Sequence, residues 1–480
     1  MNPQENNQQL ASTIFKRTVL GLGVLFLMGT GSTNAQSARS IELSKLVTNQ
    51  AALDSLDLCE GLVTHKEPVR VKAVARPPYG KRYRDPAFGT TIIRVSNSSA
   101  DEVYKPPYST IQAWNADESL MLLYKRSATE GGGHILLDGF SYEPVKALDI
   151  YPSDLEEVFW SHTDPDILFY VSKEHLKHNF IKLNVRTGEE TILRNFSDIC
   201  GERGVPTPGG DVLMQSLDDD KFGFRCDTRT DTSDNWTMIS YSVGEDKVLT
   251  KPLGDGTPFD NWTAPIPLPK GDGFWMQGKV IEPDLETVRA TMDMYKHHEH
   301  ADIGLSWDGR EVYYATAFNG SDGECNDPVY RGVGHLIEHD LNTGECRGVI
   351  DEHDDYPYTT RGTHISGRAT RKPGWVAMSS IGYDKFDLFK SQRKAPPLFS
   401  EVYLVDTNPK SERLCRIAQH RSYSKSSENG DYHPYFGEPH ATISPSGTRI
   451  LFGSDWYDSG SVDAYVVELP AYRKLIGSAQ

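Results

Sequence analysis

The 480-residue chain has no apolar run long enough to cross a membrane. The run Val19–Met28 is about ten residues, and a spanning helix needs roughly 20. It follows Lys16 and Arg17 and leads to Thr33-Asn34-Ala35. That charged, apolar and small-residue order predicts a signal peptide cleaved after Ala35, and so a secreted or periplasmic protein. Basic residues are also scarce, 50 Lys and Arg against 67 Asp and Glu, for a net charge of −17. Phosphate backbones are bound through Lys and Arg, so this balance argues against nucleic acid as a partner. A polyanionic substrate would have to meet a local cluster of Arg, Lys or metal. Missing as well are a Gly-x-Ser-x-Gly elbow, a His-Glu-x-x-His pair and a phosphate-cradling loop. Nucleophilic hydrolysis is therefore not signalled. None of the six cysteines forms a Cys-x-x-Cys pair. An even count in an oxidising compartment permits disulfides, with free buried thiols as the alternative. Cys200 with Cys226 and Cys325 with Cys346 are the nearest neighbours.

What is present is a repeat. Residues 36–88 read as an arm, with a helix over Ile41–Leu58 and a Pro-rich link. From residue 89 onward one pattern returns: a short strand, a turn, an apolar strand, a strand ending in an Asn-Thr-Gly-like turn, then a fourth strand. Asp302-Ile-Gly-Leu-Ser-Trp-Asp-Gly-Arg-Glu-Val-Tyr-Tyr with Gly334-His-Leu-Ile-Glu-His-Asp-Leu-Asn-Thr-Gly is one copy. His440-Ala-Thr-Ile-Ser-Pro-Ser-Gly-Thr-Arg-Ile-Leu-Phe is another. Copies at Trp114 and Trp160 are shorter matches. The Gly-containing steps tolerate positive φ in tight turns, and the apolar runs between them read as buried strands. Four strands per unit is the pattern of propeller blades. Blade cores start near residues 111, 158, 203, 264, 302, 364 and 440. This predicts an all-β, seven-bladed β-propeller over 89–480, closed by the N-terminal strand at Thr91–Ser96.

Histidines mark the blade starts. His300, His364 and His440 each begin an innermost strand, and His162 lies near the corresponding place in the second blade. Innermost strands line the channel, so these imidazoles converge. His300, His364 and His440 are candidate ligands for a divalent ion: Mn, Zn, Fe or Ca. His162, Arg368 and Tyr435 are candidate catalytic groups, Arg368 being suited to gripping a carboxylate. His134, after three glycines, and Arg361 are candidate substrate contacts. A second cluster, Cys325, His335, His339 and His297-His298, has the residue types of a structural zinc site, unless Cys325 and Cys346 pair.

The motif from His440 to Asp455-Trp456, with His300-Ala-Asp-Ile-Gly and Thr363-His364, resembles the oligogalacturonate lyases. Propeller ulvan lyases share the architecture, and the blade consensus also resembles the non-enzymatic Tol-system propellers. The resemblance spans about the last 180 residues. It implies β-elimination of a uronate glycan, with a divalent metal held by histidines of the late blades. Two features depart from the family. Tyr435 and Glu438 stand where a further ligand pair precedes its final histidine. No arginine stands where its proposed base falls ahead of His300; Gln277 and Lys279 are nearest.

Two functions follow as expectations. One is a monomeric polysaccharide lyase acting on a uronate-containing anionic glycan, ulvan- or pectate-like. The other is a non-catalytic periplasmic propeller that binds a protein or glycan.

Overall fold

The computed structural model describes residues 30–477, except 101, 128–130, 173–177, 202–214, 228–235, 255, 256, 258, 260–263, 293–299, 318–334, 351–361, 382–393, 396, 412 and 424–433. Contacts divide the chain into residues 1–39 and 40–480. No helix among the described residues is long and apolar enough to cross a membrane.

The fold is an all-β, seven-bladed propeller. The first sheet is Glu102–Lys105, Leu120–Ser127, Gly131–Asp138 and Pro144–Leu148, with Trp114 bridged to Met121 on its inner side. The second runs Val158–Trp160, Ile167–Ser172, Asn179–Asn184 and Glu190–Asn195. The third has Lys221–Asp227, Trp236–Ser242 and Lys247–Leu253; its expected inner segment near 203 lies outside the described residues. The fourth, fifth and sixth blades begin at Ile266–Pro267, Ala301–Leu305 and Gly362–Ser366, and each is a four-stranded antiparallel sheet. The last sheet starts with Thr442–Ile443, Arg449–Ser454 and Asp463–Glu468. Thr91–Arg94 pairs antiparallel with Asp463–Glu468, Thr91 opposite Glu468, and Arg82–Arg84 lies outside it.

Local chemistry explains the hairpins. Asp340 Oδ1 accepts from the backbone N–H of Asn342 and Thr343 at 2.8 and 3.2 Å, and Gly344 takes φ of 77°. Asn184 does the same for Arg186 and Thr187 before Gly188, at φ 78°. Such side-chain bonds stand in for backbone partners in the turn, and the left-handed position favours glycine. At Gly344 space enforces it too, because a Cβ would sit 2.4 Å from the Thr291 carbonyl oxygen.

Apolar residues of neighbouring blades meet face to face. Val312 and Tyr314 of the fifth blade pack with Ile365, Val376, Met378 and Tyr403 of the sixth. Buried ion pairs cross other seams. Arg449 of the last blade donates to Glu118 of the first at 2.5 Å, with both side chains fully buried.

The arm differs from the single expected helix. It forms Thr30–Val47 and Gln50–Asp54, separated at Thr48-Asn49, where the Asn49 side chain caps Ala52 N–H. Leu43, Val47, Leu53, Leu56 and Leu58 are buried against the sixth and last blades. Cys59 is bonded to Cys415, 356 residues away. Cys200 is bonded to Cys226, and Cys346 is also in a disulfide.

Candidate metal and catalytic site

The site grows from where the inner strands begin. His300 stands immediately before Ala301–Leu305, and His440 just before Thr442–Ile443. Both backbones are left-handed, with φ of 61° and 42°. A non-glycine residue held there is disfavoured, and such positions concentrate at functional sites. His364 lies within Gly362–Ser366, where the register shifts between Gly362 and His364. A bulge of this kind re-aims the side chain that follows it.

The three imidazoles meet. Ring centroids are 5.0 Å apart for His300 and His364, and 4.2 Å for His364 and His440. Glu438 joins them, its Oε2 lying 3.4 Å from Nε2 of both His364 and His440. Ligand atoms of His364, Glu438 and His440 all lie within 4.8 Å of one another. His364 and His440 are fully buried, and neither ring nitrogen of either has a hydrogen-bond partner. Buried polar atoms are rarely left so, and an ion is one explanation. Burial pushes both imidazoles well below their usual range. Next in effect are the charges of His300 and Lys105 on His364, and of Lys105 and His364 on His440. Neutral imidazole is the form that binds metal. Two imidazoles and a carboxylate suit Mn, Zn or Fe, so these residues fit a divalent ion. His300 sits beside the trio, its Nδ1 3.4 Å from the Tyr108 hydroxyl.

Around this lies a polar layer that joins the expected Tyr435 to Lys105 and Glu156, two residues that sequence reasoning did not find. Lys105 is wholly buried, its ammonium 3.3 Å from the carbonyls of Tyr435 and Glu438. Burial pushes Lys105 down to about 8, against the raising effect of Glu156 and Glu438. Its charge lies 4.9 Å from the Tyr435 ring centroid. The Tyr435 ring in turn packs 4.7 Å from His440. The Tyr435 hydroxyl donates to Glu156, 2.8 and 2.7 Å from its two oxygens. Burial, then the Glu156 charge, pushes this phenol far above its usual range, so Tyr435 keeps its proton.

The other expected residues fall elsewhere. His162 follows its inner strand, Val158–Trp160, whereas His300 and His440 precede theirs. Its Ser161-His162-Thr-Asp turn corresponds to Ser306-Trp307-Asp308, so His162 belongs to the opposite end of its blade. Burial pushes its imidazole down to about 4 against the opposing Asp219 charge. Arg368 grips a carboxylate, as its geometry suits, but the carboxylate is buried Asp302 of the neighbouring blade. His162, Arg368 and Arg371 line a separate cavity of about 180 Å³ with Gln112, Trp160 and Leu217. His134 is buried at 2% exposure, and its Nε2 lies 2.7 Å from the Leu155 carbonyl oxygen. It therefore fastens the loop that carries Glu156 instead of facing solvent. Arg361, Cys325, His297 and His298 lie outside the described residues. His339 is buried, with Nε2 3.4 Å from Sγ of disulfide-bonded Cys346. A thiol oxidised in this way is not a thiolate ligand.

These features define a histidine-lined propeller, and solved structures of that architecture match it. An oligogalacturonate lyase in complex with manganese superposes with a TM-score of 0.56 at 17% identity, over 85% of this chain and 99% of that one. An oligogalacturonate lyase from Vibrio parahaemolyticus gives 0.54 at 16% identity, with the same coverage. At such identity the likeness establishes the fold. No family model and no curated protein matches the chain by sequence.

Proposed function

We propose that this protein is an exported polysaccharide lyase that cleaves a uronate-containing anionic glycan, ulvan- or pectate-like, by β-elimination. One observation carries the reading. His364, Glu438 and His440 bring three ligand atoms within 4.8 Å, with four buried ring nitrogens lacking a partner. The manganese complex of a propeller oligogalacturonate lyase supports it, since that protein shares the fold.

β-Elimination removes the weakly acidic C5 proton of a uronate and expels the C4 oxygen. A divalent ion held by His364, Glu438 and His440, with His300 beside them, would supply positive charge for the uronate carboxylate. The chain's own residues do the rest. Burial keeps the His364 and His440 imidazoles unprotonated. Tyr435, against His440 and keeping its proton, is placed to protonate the leaving oxygen. Arg368 is held by Asp302, and with His162 it lines a separate cavity. Lys105 anchors the short helix Pro434–Gly437 that delivers Tyr435 and Glu438.

The test is incubation of the purified protein and Mn2+ with ulvan and with pectate fragments. Ultraviolet absorbance of an unsaturated uronate should appear, and His364→Ala should abolish it. Absence of that product from every uronate glycan, with metal supplied, refutes the reading.

A further inference from the structure

A β-elimination site needs a proton acceptor, and among the described residues the metal trio itself does not supply one. The imidazoles and Glu438 converge on one another, and Lys105 is wholly enclosed. Glu156 is different. It is partly exposed, in the loop between the first and second blades. It lies one tyrosine ring away from His440. Three contacts hold it in place. Tyr435 donates to its two oxygens at 2.8 and 2.7 Å, the Tyr124 hydroxyl lies 3.4 Å away, and His134 pins the preceding Leu155 carbonyl. Glu156 N–H also donates to Asp154 Oδ1 at 2.9 Å, which fixes the loop's own turn. Glu156 is thus a carboxylate oriented by several groups, on a loop and next to the site, as a preorganised reacting group would be.

We propose that Glu156 is the catalytic base, paired with Tyr435 as acid, and that the preferred substrate is a 4-linked glucuronate. This rests on the lyase reading above. Glu156 takes the C5 proton, and the C5–H electrons form the C4–C5 double bond. The C4–O bond breaks, and the leaving oxygen takes the Tyr435 phenolic proton. Glu156 then returns its proton to Tyr435 across the existing hydrogen bond. The pair ends as it began, and no outside proton is consumed.

The same geometry sets the substrate. Base and acid are 2.7 Å apart, so a sugar ring cannot fit between them. Both act on one ring face, by the reasoning that reads stereochemistry from carboxyl separation in glycosidases. In a 4-linked glucuronate the C5 hydrogen and C4 oxygen share a face. In galacturonate they lie on opposite faces.

The experiment compares polyglucuronate with polygalacturonate, using the full chain with Mn2+ and the ultraviolet signal of the unsaturated product. The wild type should turn over polyglucuronate at least about tenfold faster. Glu156→Gln should lower kcat by about 100-fold or more. KM, Mn2+ affinity and melting temperature should change little, and Glu156→Asp should recover part of the rate. A purely structural Glu156 would instead move the melting temperature or KM, with kcat kept. If Glu156→Gln does not fold, Tyr435→Phe must show the same loss of kcat. Preference for polygalacturonate, or a Glu156→Gln kcat above a tenth of wild type, overturns the proposal while leaving the lyase reading intact. Failure to cleave any uronate glycan overturns both.

Discussion

Glu438→Gln is the most direct probe of the metal site. The substitution keeps shape and one oxygen donor but removes the charge. Its Oε2 is 3.4 Å from two imidazole nitrogens that burial holds neutral, so the carboxylate supplies the negative charge of the trio. Two unit charges about 4 Å apart interact by about 4 kcal/mol at an effective dielectric of 20. Glu438 is partly exposed, at 15% for its side chain, so screening trims that figure. A loss of about 2–4 kcal/mol follows, or a Mn2+ affinity roughly 30- to 700-fold weaker. Titration calorimetry with Mn2+, alongside a thermal melt, reads this directly. The reasoning fails if Glu438→Gln binds Mn2+ as tightly as the wild type. It fails equally if His364→Ala does.

Three further outcomes concern the scaffold. Glu118→Gln leaves fully buried Arg449 without its charge partner and should destabilise the fold by about 3–5 kcal/mol in urea unfolding; a surface-like loss under 1 kcal/mol would contradict the pairing. Gly344→Ala must place a Cβ 2.4 Å from the Thr291 oxygen at φ 77°, so a loss of about 1–3 kcal/mol is expected, and an unchanged melting temperature would show that the two blades can part there. Burial pushes Asp455 up to about 6, against backbone N–H donors from Tyr423 and Asp458. A folded value above the unfolded one means stability is full below about pH 4 and lost as pH rises through 6. The loss amounts to about 3 kcal/mol by linkage. Asp455→Asn should flatten that part of the stability profile, and an unaltered slope would refute the assignment.

The architecture was legible because the turns carry it. Asp-Gly at 308–309 and Asn-Thr-Gly at 342–344 each need a left-handed residue, and glycine announces the place. The histidine starts were legible for the same reason, since counting from those turns puts His300 and His440 at strand starts. The same count misplaces His162, because its Ser-His-Thr-Asp turn lacks the glycine that marks the others. Arg368 was read by type, as a carboxylate binder. Its partner Asp302 sits two residues after His300, in a strand whose burial makes an internal acid rely on it. Lys105, Tyr108 and Glu156 carried no local signal. Lys105 precedes two prolines and reads as an edge residue. Its contacts come from residues 435 and 438, and no spacing rule connects positions so far apart. Glu438 does carry a signal, a Glu-x-His pair beside a blade start, which suits a ligand as well as a departure from the family pattern.

The bond between Cys59 and Cys415 has a consequence for how the chain is made. Synthesis runs from the N-terminus, so Cys59 emerges long before its partner, 356 residues later. Cys200 and Cys226, only 26 residues apart, appear in between and can pair at once. An oxidant that acts early therefore meets Cys59 while its only neighbours are the wrong ones. Thiolate exchange must then undo any such link before the arm can dock on the sixth blade. The order of oxidation, more than the strength of any one blade, would set the yield of correctly assembled protein when this chain is produced.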